Sequence, residues 1–233
     1  MRGGDGTYRL DAGSIHGSPE AICIMPEGHN SEWSISERFE FAHLYIEDEQ
    51  LRTAYSEIFD RDARLMDMED LTFVKNQTLA NALRDIYIST HKQDRLAGQE
   101  AASNVIHAVF STDGCLKQNR PQLTGGLASN KRRQVLDYIQ DNLETTIGLR
   151  ELADLVGLSE FHFQRSFRAS CGTSPHKWIA NKRVERAREL IVDKVPLAQV
   201  ALACGYSSQA HFSRSFSSAM NMTPKAYRTA ISA

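Results

Sequence analysis

Phe161, Arg165 and Arg168 stand at i, i+4 and i+7 of this 233-residue chain, with Gln164 beside them. On a helix that spacing gathers them on one side. Each side chain has a use at a base edge: arginine pairs bidentately with guanine O6 and N7, glutamine with adenine, and phenylalanine touches a thymine methyl. A soluble protein gains little from an exposed phenylalanine beside two arginines on a short helix, whereas a helix entering a DNA groove can use all of them. Gln209, Ala210, Ser213, Arg214 and Ser217 form a second set of this kind. The second face is smaller and less charged, so it is expected to add less affinity, or to read shape and methyl groups. His162 and His211 occupy matching slots, and a phosphate contact and a structural role weigh equally for them.

The two faces belong to a repeat. Phe163 pairs with Phe212, Arg165 with Arg214, Phe167 with Phe216 and Pro175 with Pro224, all at an offset of 49; Gly157 and Gly205 pair at 48, so the second copy has one extra residue in its turn. A supersecondary unit used twice is the simplest source of such a pattern. Each copy predicts a short helix, a glycine-containing turn and a second helix, the order of a helix-turn-helix. In the first copy, Arg150–Val156 follows Gly148 as its cap, Gly157 turns, and Ser159 caps a helix over about 160–170. In the second, Pro196 opens Leu197–Cys204, Gly205 turns, and Ser207 or Ser208 caps. Phe163, Phe167, Phe212 and Phe216 are expected in the core. A helix over 131–144, capped by Asn130 or Ser129, carries Val135, Ile139 and Leu143 inward. Between the copies, Ser174 and Pro175 start a helix to Val192 with Ala180, Val184, Ala187 and Ile191 as its stripe. At 1.5 Å per residue that strut is roughly 27 Å long, enough to hold two reading helices about one DNA turn apart. Arg183, Arg186 and Arg188 on it read as a solvated face with packing at the core edge. A short helix from Pro224 to about Thr229 closes the second copy.

Charge agrees with this layout. Residues 127–233 hold 15 lysines and arginines against 9 acids, and residues 1–126 hold 12 against 20. A basic half is what phosphate attraction needs, and an acidic half should stay off the duplex.

The stretches ELADLVGLSEFHFQRSF, GTSPHKWIANKRVERARELI, PLAQVALACGYSSQAHFSRSF and MTPKAYR resemble the DNA-binding domain of the AraC/XylS family of bacterial transcription regulators, from about Arg132 to Ile231. The resemblance implies sequence-specific binding of double-stranded promoter DNA, contact with RNA polymerase, and most often activation. It places base-reading positions at Phe161, Gln164 and Arg165 on the first helix and at Gln209, Ala210, Ser213 and Arg214 on the second. The family often has tryptophan or another large residue where Phe161 stands, and glutamine or serine where Ala210 stands. His162, His211 and Arg168 complete the expected DNA-binding set.

The acidic half is less informative. AICIM at 21–25 predicts a short buried strand and FEFAHLYI at 39–46 another, with a turn at Pro26–Gly28 between them. Leu79, Leu83 and Ile86 form one helical stripe; Leu96, Ala102, Ile106 and Val109 form a second, and two such helices can pack together or across a dimer. Residues 111–130, rich in Gly, Asn, Gln and Ser, read as a linker. Strand, Pro-x-Gly turn, strand and helices resemble the last part of a cupin-like sensor, but about 46 residues before the helices are too few for a full barrel.

The expected fold is therefore α+β: an N-terminal regulatory and dimerisation region (1–110) with partial cupin-like strands then helices, a linker (111–130), and an all-α domain (131–233) with two helix-turn-helix units joined by a long helix. A homodimer is expected, and a small-molecule effector is allowed. No catalytic residue, metal or cofactor is expected. His16, His29 and His43 lack a close His-x-His pair, and no nucleophile elbow, phosphate-binding glycine loop or catalytic carboxylate pair is found. Cys23, Cys115, Cys171 and Cys204 are scattered, which suggests a reducing cytosol. The first residues have no apolar signal region, and no stretch approaches the roughly 20 apolar residues of a membrane span. The expected location is the cytoplasm, on the nucleoid. Two rivals remain: a DNA-repair methyl-acceptor enzyme joined to a similar domain, disfavoured because no cysteine cluster stands near the N-terminus, and a sensor or interaction protein that has lost DNA binding.

Overall fold

A computed structural model describes residues 7–11, 16–35, 40–117 and 123–232. The chain divides into two compact units: Met1–Tyr55 with Leu65–Pro121, and Ser56–Arg64 with Gln122–Ala233.

The N-terminal unit contains two small antiparallel sheets. β1 (Thr7–Arg9) pairs with β3 (Trp33–Ile35), and β2 (Ile22–Ile24) pairs with β4 (Leu71–Val74). The charged Arg9 is buried because its guanidinium is fully used: it donates to Asp11, Asp70 and Thr72, and lies 5.9 Å from the Trp33 ring centroid. Helix α1 (Asp48–Phe59) follows and crosses the unit boundary. Then α2 (Gln77–Lys92) and α3 (Arg95–Phe110) form a hairpin, each started by a side-chain cap, Asn76 and Asp94. Leu79, Ala82, Val105, Ala108 and Val109 bury the hairpin seam, with Ile22, Ile24 and Leu71 of the second sheet against it.

Three sequence expectations change here. Residue 39 lies outside the described residues, and residues 40–46 form no strand. Phe41 packs tilted on His43 and His43 meets Tyr45 edge-on, at 4.8 and 5.8 Å between centroids, and Tyr45 is 87% exposed. Of residues 21–25, Ile22–Ile24 form a strand, and its three residues are half-buried, not buried. On α3 the inward stripe is Ala101, Val105, Ala108 and Val109, and Ala102 is exposed. Ala102 and Ser103 follow Ala101, and such small residues leave the register to the α2 contact.

In the C-terminal unit, α4 (Ser129–Asp141) buries Val135 and Ile139. Its N-cap position is Ala128, without a side-chain cap bond; Ser129 and Asn130 lie inside the helix, where Asn130 Oδ1 accepts the Lys131 N–H at 2.9 Å. α5 (Leu149–Leu155) starts after Gly148, whose N–H is accepted by Glu151 at 3.2 Å. α6 (Glu160–Cys171), α7 (Pro175–Val192), α8 (Leu197–Ala203), α9 (Gln209–Met220) and α10 (Pro224–Ile231) follow. Ser159, Ser174, Ser208 and Thr223 each accept a backbone N–H at the start of α6, α7, α9 and α10, satisfying a donor that the helix cannot.

Both copies are built around the same ring chain. Phe163 and Phe167 lie 5.6 Å apart, and Phe167 meets Trp178 edge-on at 6.0 Å. Phe212 and Phe216 lie 5.6 Å apart, and Phe216 meets Tyr227 at 5.5 Å. All four phenylalanines are fully buried. Edge-to-face rings at this distance add to the stability of burial itself.

The segment Ser56–Arg64 is part of this unit. Asp60 accepts from Arg132 at 2.6 Å and from Arg133 at 2.7 Å, its carbonyl accepts again from Arg132, and Glu57 pairs with Lys182 at 3.2 Å. Arg132 is thereby buried with its charge answered. At the other end, residues 111–117 lie in the N-terminal unit, with Thr112 and Cys115 buried, and Leu127 is buried in the C-terminal core.

Candidate nucleic-acid interface

α6 presents two faces. Phe163, Phe167, Ser170 and Cys171 point inward. Phe161, His162, Gln164, Arg165 and Arg168 are all exposed, Phe161 to 71%. At about 100° per residue, Phe161, Gln164, Arg165 and Arg168 share an arc of roughly 100°. The burial of the two phenylalanines fixes that arc toward solvent: once positions 163 and 167 are inside, 161, 164, 165 and 168 cannot be. Arg165 makes no hydrogen bond or ion pair among the described residues, so its five donors are unspent.

On α9, Phe212, Phe216 and Met220 are inside. Gln209, Ala210, His211 and Arg214 are exposed and Ser213 is half-buried. Arg214, like Arg165, has no partner among the described residues. All ten residues of the expected DNA-binding set thus lie on the two turn-following helices, five on each.

The histidines are tied back to their own helix entrances. Ser159 Oγ lies 3.1 Å from His162 Nδ1, and Ser207 Oγ lies 3.5 Å from His211 Nδ1. In the first copy Ser159 serves both the cap and the ring. In the second, Ser208 caps and the neighbouring Ser207 meets the ring. The extra residue in the second turn is what allows that division. Tyr206 packs edge-on against His211 at 5.4 Å.

The strut side chains show the core-edge packing that spacing suggested and are less solvated than expected, all three being half-buried. Arg183 is half-buried; it donates to the Leu143 carbonyl at 3.1 Å and to the Thr145 carbonyl at 2.6 Å, and lies 5.7 Å from the Tyr206 centroid. Burial pulls its pKa down from the usual arginine value. Arg188 donates to the Tyr227 hydroxyl at 3.3 Å, and Arg186 approaches Glu144 at 4.0 Å. Helical spacing could not reveal these partners, because they lie about 40 residues away along the chain.

The thiols are not poised for nucleophilic work. Burial pushes Cys171 up to about 12 and Cys115 and Cys204 up to about 11, and it also raises Cys23. The reactive species is the thiolate, which is scarce at neutral pH for such groups. Among the described residues no group of three or more His, Cys, Asp or Glu is placed to hold a metal ion. No helix among them is long and apolar enough to cross a membrane.

Fold and exposed faces together define a double helix-turn-helix unit. Residues 152–230 match the family model described as "Helix-turn-helix domain". A probable transcriptional regulator of Photobacterium leiognathi, LumQ, is 30% identical over 144 residues, covering 60% of this chain and 55% of LumQ. An uncharacterized HTH-type transcriptional regulator of Staphylococcus aureus strain COL is 36% identical over 167 residues, 69% of this chain and 22% of that protein. The chain thus spans about half or less of the length of these curated relatives. Among solved structures, an AraC-type transcriptional regulator from Chromobacterium violaceum is 31% identical, covering 44% of this chain and 92% of its own, with a TM-score of 0.41. The DNA-binding domain of AdpA, solved with a target DNA, is 27% identical over 43% of this chain and 91% of its own, with a TM-score of 0.42.

Proposed function

We propose that this protein is a sequence-specific transcription regulator whose helices α6 and α9 enter successive major grooves of promoter DNA. The observation that carries this reading is the pair of unpartnered guanidinium groups, Arg165 and Arg214, in the same slot of two repeated helices whose opposite faces are locked in a core. Phosphate contacts from the basic C-terminal half position the protein, and the base edges are then read by Arg165 with Phe161 and Gln164, and by Arg214 with Gln209 and Ser213. Arg168, His162 and His211 flank the reading faces toward the backbone, and Ala210 offers a methyl-sized contact. Activation through RNA polymerase is the proposed mode. The N-terminal unit is proposed to regulate the DNA-binding half through homodimerisation, with the α2–α3 hairpin as the supporting element and a small-molecule effector as a further input. The strand and Pro26–Gly28 order supports cupin-like strands there.

The test is capture of genomic fragments by the full chain, followed by sequencing. A recurring motif with two half-sites supports the proposal, and Arg165→Ala should relax the preference within one half-site. Recovery of fragments without any shared motif would end it.

A further inference from the structure

We infer that Arg183 is the pin that fixes one reading head relative to the other, and so sets the half-site separation the protein accepts; this rests on the two-headed reading above. Arg183 sits near the middle of α7, the helix between the copies. Its guanidinium reaches back to the first copy, where the Leu143 and Thr145 carbonyls follow the end of α4. Carbonyls past a helix end have no partner within the helix, and the guanidinium supplies donors to two of them. The same group reaches forward to the second copy, over the ring of Tyr206 in the α8–α9 turn. Tyr206 in turn packs on Phe212 at 5.4 Å, and its hydroxyl lies 3.1 Å from Ser215 Oγ, both on α9. One side chain thus joins the base of the first helix-turn-helix to the reading helix of the second.

The backbone is shaped for this joint. Gly205, next to Tyr206, has φ +69°, and a Cβ there would stand 2.4 Å from the Leu143 carbonyl oxygen and 2.8 Å from Arg183 Nη2. Gly157, its counterpart, has φ +64° and nothing within 4 Å of such a Cβ. Both turns need the left-handed region, but the second also needs the absence of a side chain, so that turn, carbonyl and guanidinium can meet. No carboxylate answers Arg183 among the described residues. A half-buried cation held by carbonyls and a ring face depends on the planar fork of arginine, which lysine lacks.

The lever arm makes the joint matter. A tilt of 10° along a helix of roughly 27 Å moves its far end by about 5 Å. One base pair is about 3.4 Å along the duplex. Freedom at Arg183 of that order would let the second head meet a half-site one base pair out of register.

The experiment uses the full chain with Arg183→Ala and Arg183→Lys. Spin labels at Asp154→Cys and Gln199→Cys, exposed positions on α5 and α8, in a Cys23→Ser background, report the distance between the two heads without DNA. The parent should give one narrow distribution. Arg183→Ala should broaden it, with Arg183→Lys in between; an alanine variant as narrow as the parent, at the same mean, overturns the inference. The second readout is binding to a captured duplex and to versions with the half-site separation changed by one base pair. The parent should lose about tenfold on the altered duplexes and Arg183→Ala about threefold or less, since slack replaces a fixed spacing. Equal discrimination by parent and variant overturns the spacing claim. If the parent binds no duplex, the DNA reading fails while the label distances still decide whether Arg183 is a pin. Should Arg183→Ala not fold, Arg183→Lys carries both measurements.

Discussion

The two helix-turn-helix copies agree where they face inward and differ where they face outward. Phe163–Phe167 and Phe212–Phe216 have the same ring separation of 5.6 Å, and a serine caps the reading helix in each. Outside, Phe161 and Arg168 in the first copy correspond to Ala210 and Ser217 in the second. Packing tolerates few alternatives at a fully buried ring, whereas an outward side chain answers to whatever docks on it. The comparison teaches that repeated cores orient the two helices alike while their outward faces diverge; on the proposed reading, those faces would divide the work of binding.

The largest expected effect tests the shared core. Phe163→Ala and Phe212→Ala should each cost about 3–5 kcal/mol of stability, measured by urea unfolding of the full chain. A markedly milder loss in either copy would break the equivalence of the two cores. Next come the turn glycines. Gly157→Ala adopts a left-handed backbone in open space and should cost about 1–2 kcal/mol. Gly205→Ala adds a clash with the Leu143 carbonyl and should cost roughly another 1–3 kcal/mol. Equal losses would mean that the second turn is as roomy as the first.

On DNA the faces should separate. Arg165→Ala should weaken binding by about 1–3 kcal/mol and relax base preference, with Arg214→Ala at the lower end of that range. Gel-shift titrations on one captured site decide it, and a larger loss at Arg214 would reverse the assignment of the dominant head. The smallest effect concerns Asp60, which pairs with Arg132 and Arg133 on the first copy's side. Hydrogen bonds from Arg133, then Arg132, hold its carboxyl below the usual aspartate range. A lowered folded-state pKa contributes stability above the ordinary carboxylate range, and that stability is lost as pH falls through the lowered value. Because Asp60 is half-exposed, Asp60→Asn should cost only about 1 kcal/mol at neutral pH and should flatten the acid side of the stability profile. An unchanged acid limb in melts from pH 7 to 3 would remove Asp60 from the account.

Much of the C-terminal half was legible beforehand. The i, i+4 phenylalanines, the serine caps and the turn glycines act within one or two helical turns, so α6, α7 and α9 start within a residue of where their caps place them. The outward residues followed from the inward ones by helical geometry alone. The N-terminal half was harder to read. The residue types at 39–46 suggested a strand, yet a strand exists only when another backbone completes its ladder, and among the described residues 40–46 form no strand. On α3, alanines left the inward register ambiguous by one position until α2 was packed against it.

The sequence by itself determined that two similar helical heads exist and which side chains each turns outward, because caps, turns and apolar periodicity are local signals. Tertiary structure alone decided that Asp60 belongs with Arg132, 72 residues away, and that Arg183 spans the Leu143 carbonyl and Tyr206. Those choices depend on which distant carbonyls, rings and carboxylates the folded backbone brings within about 3 to 6 Å. No periodicity along the chain encodes that meeting.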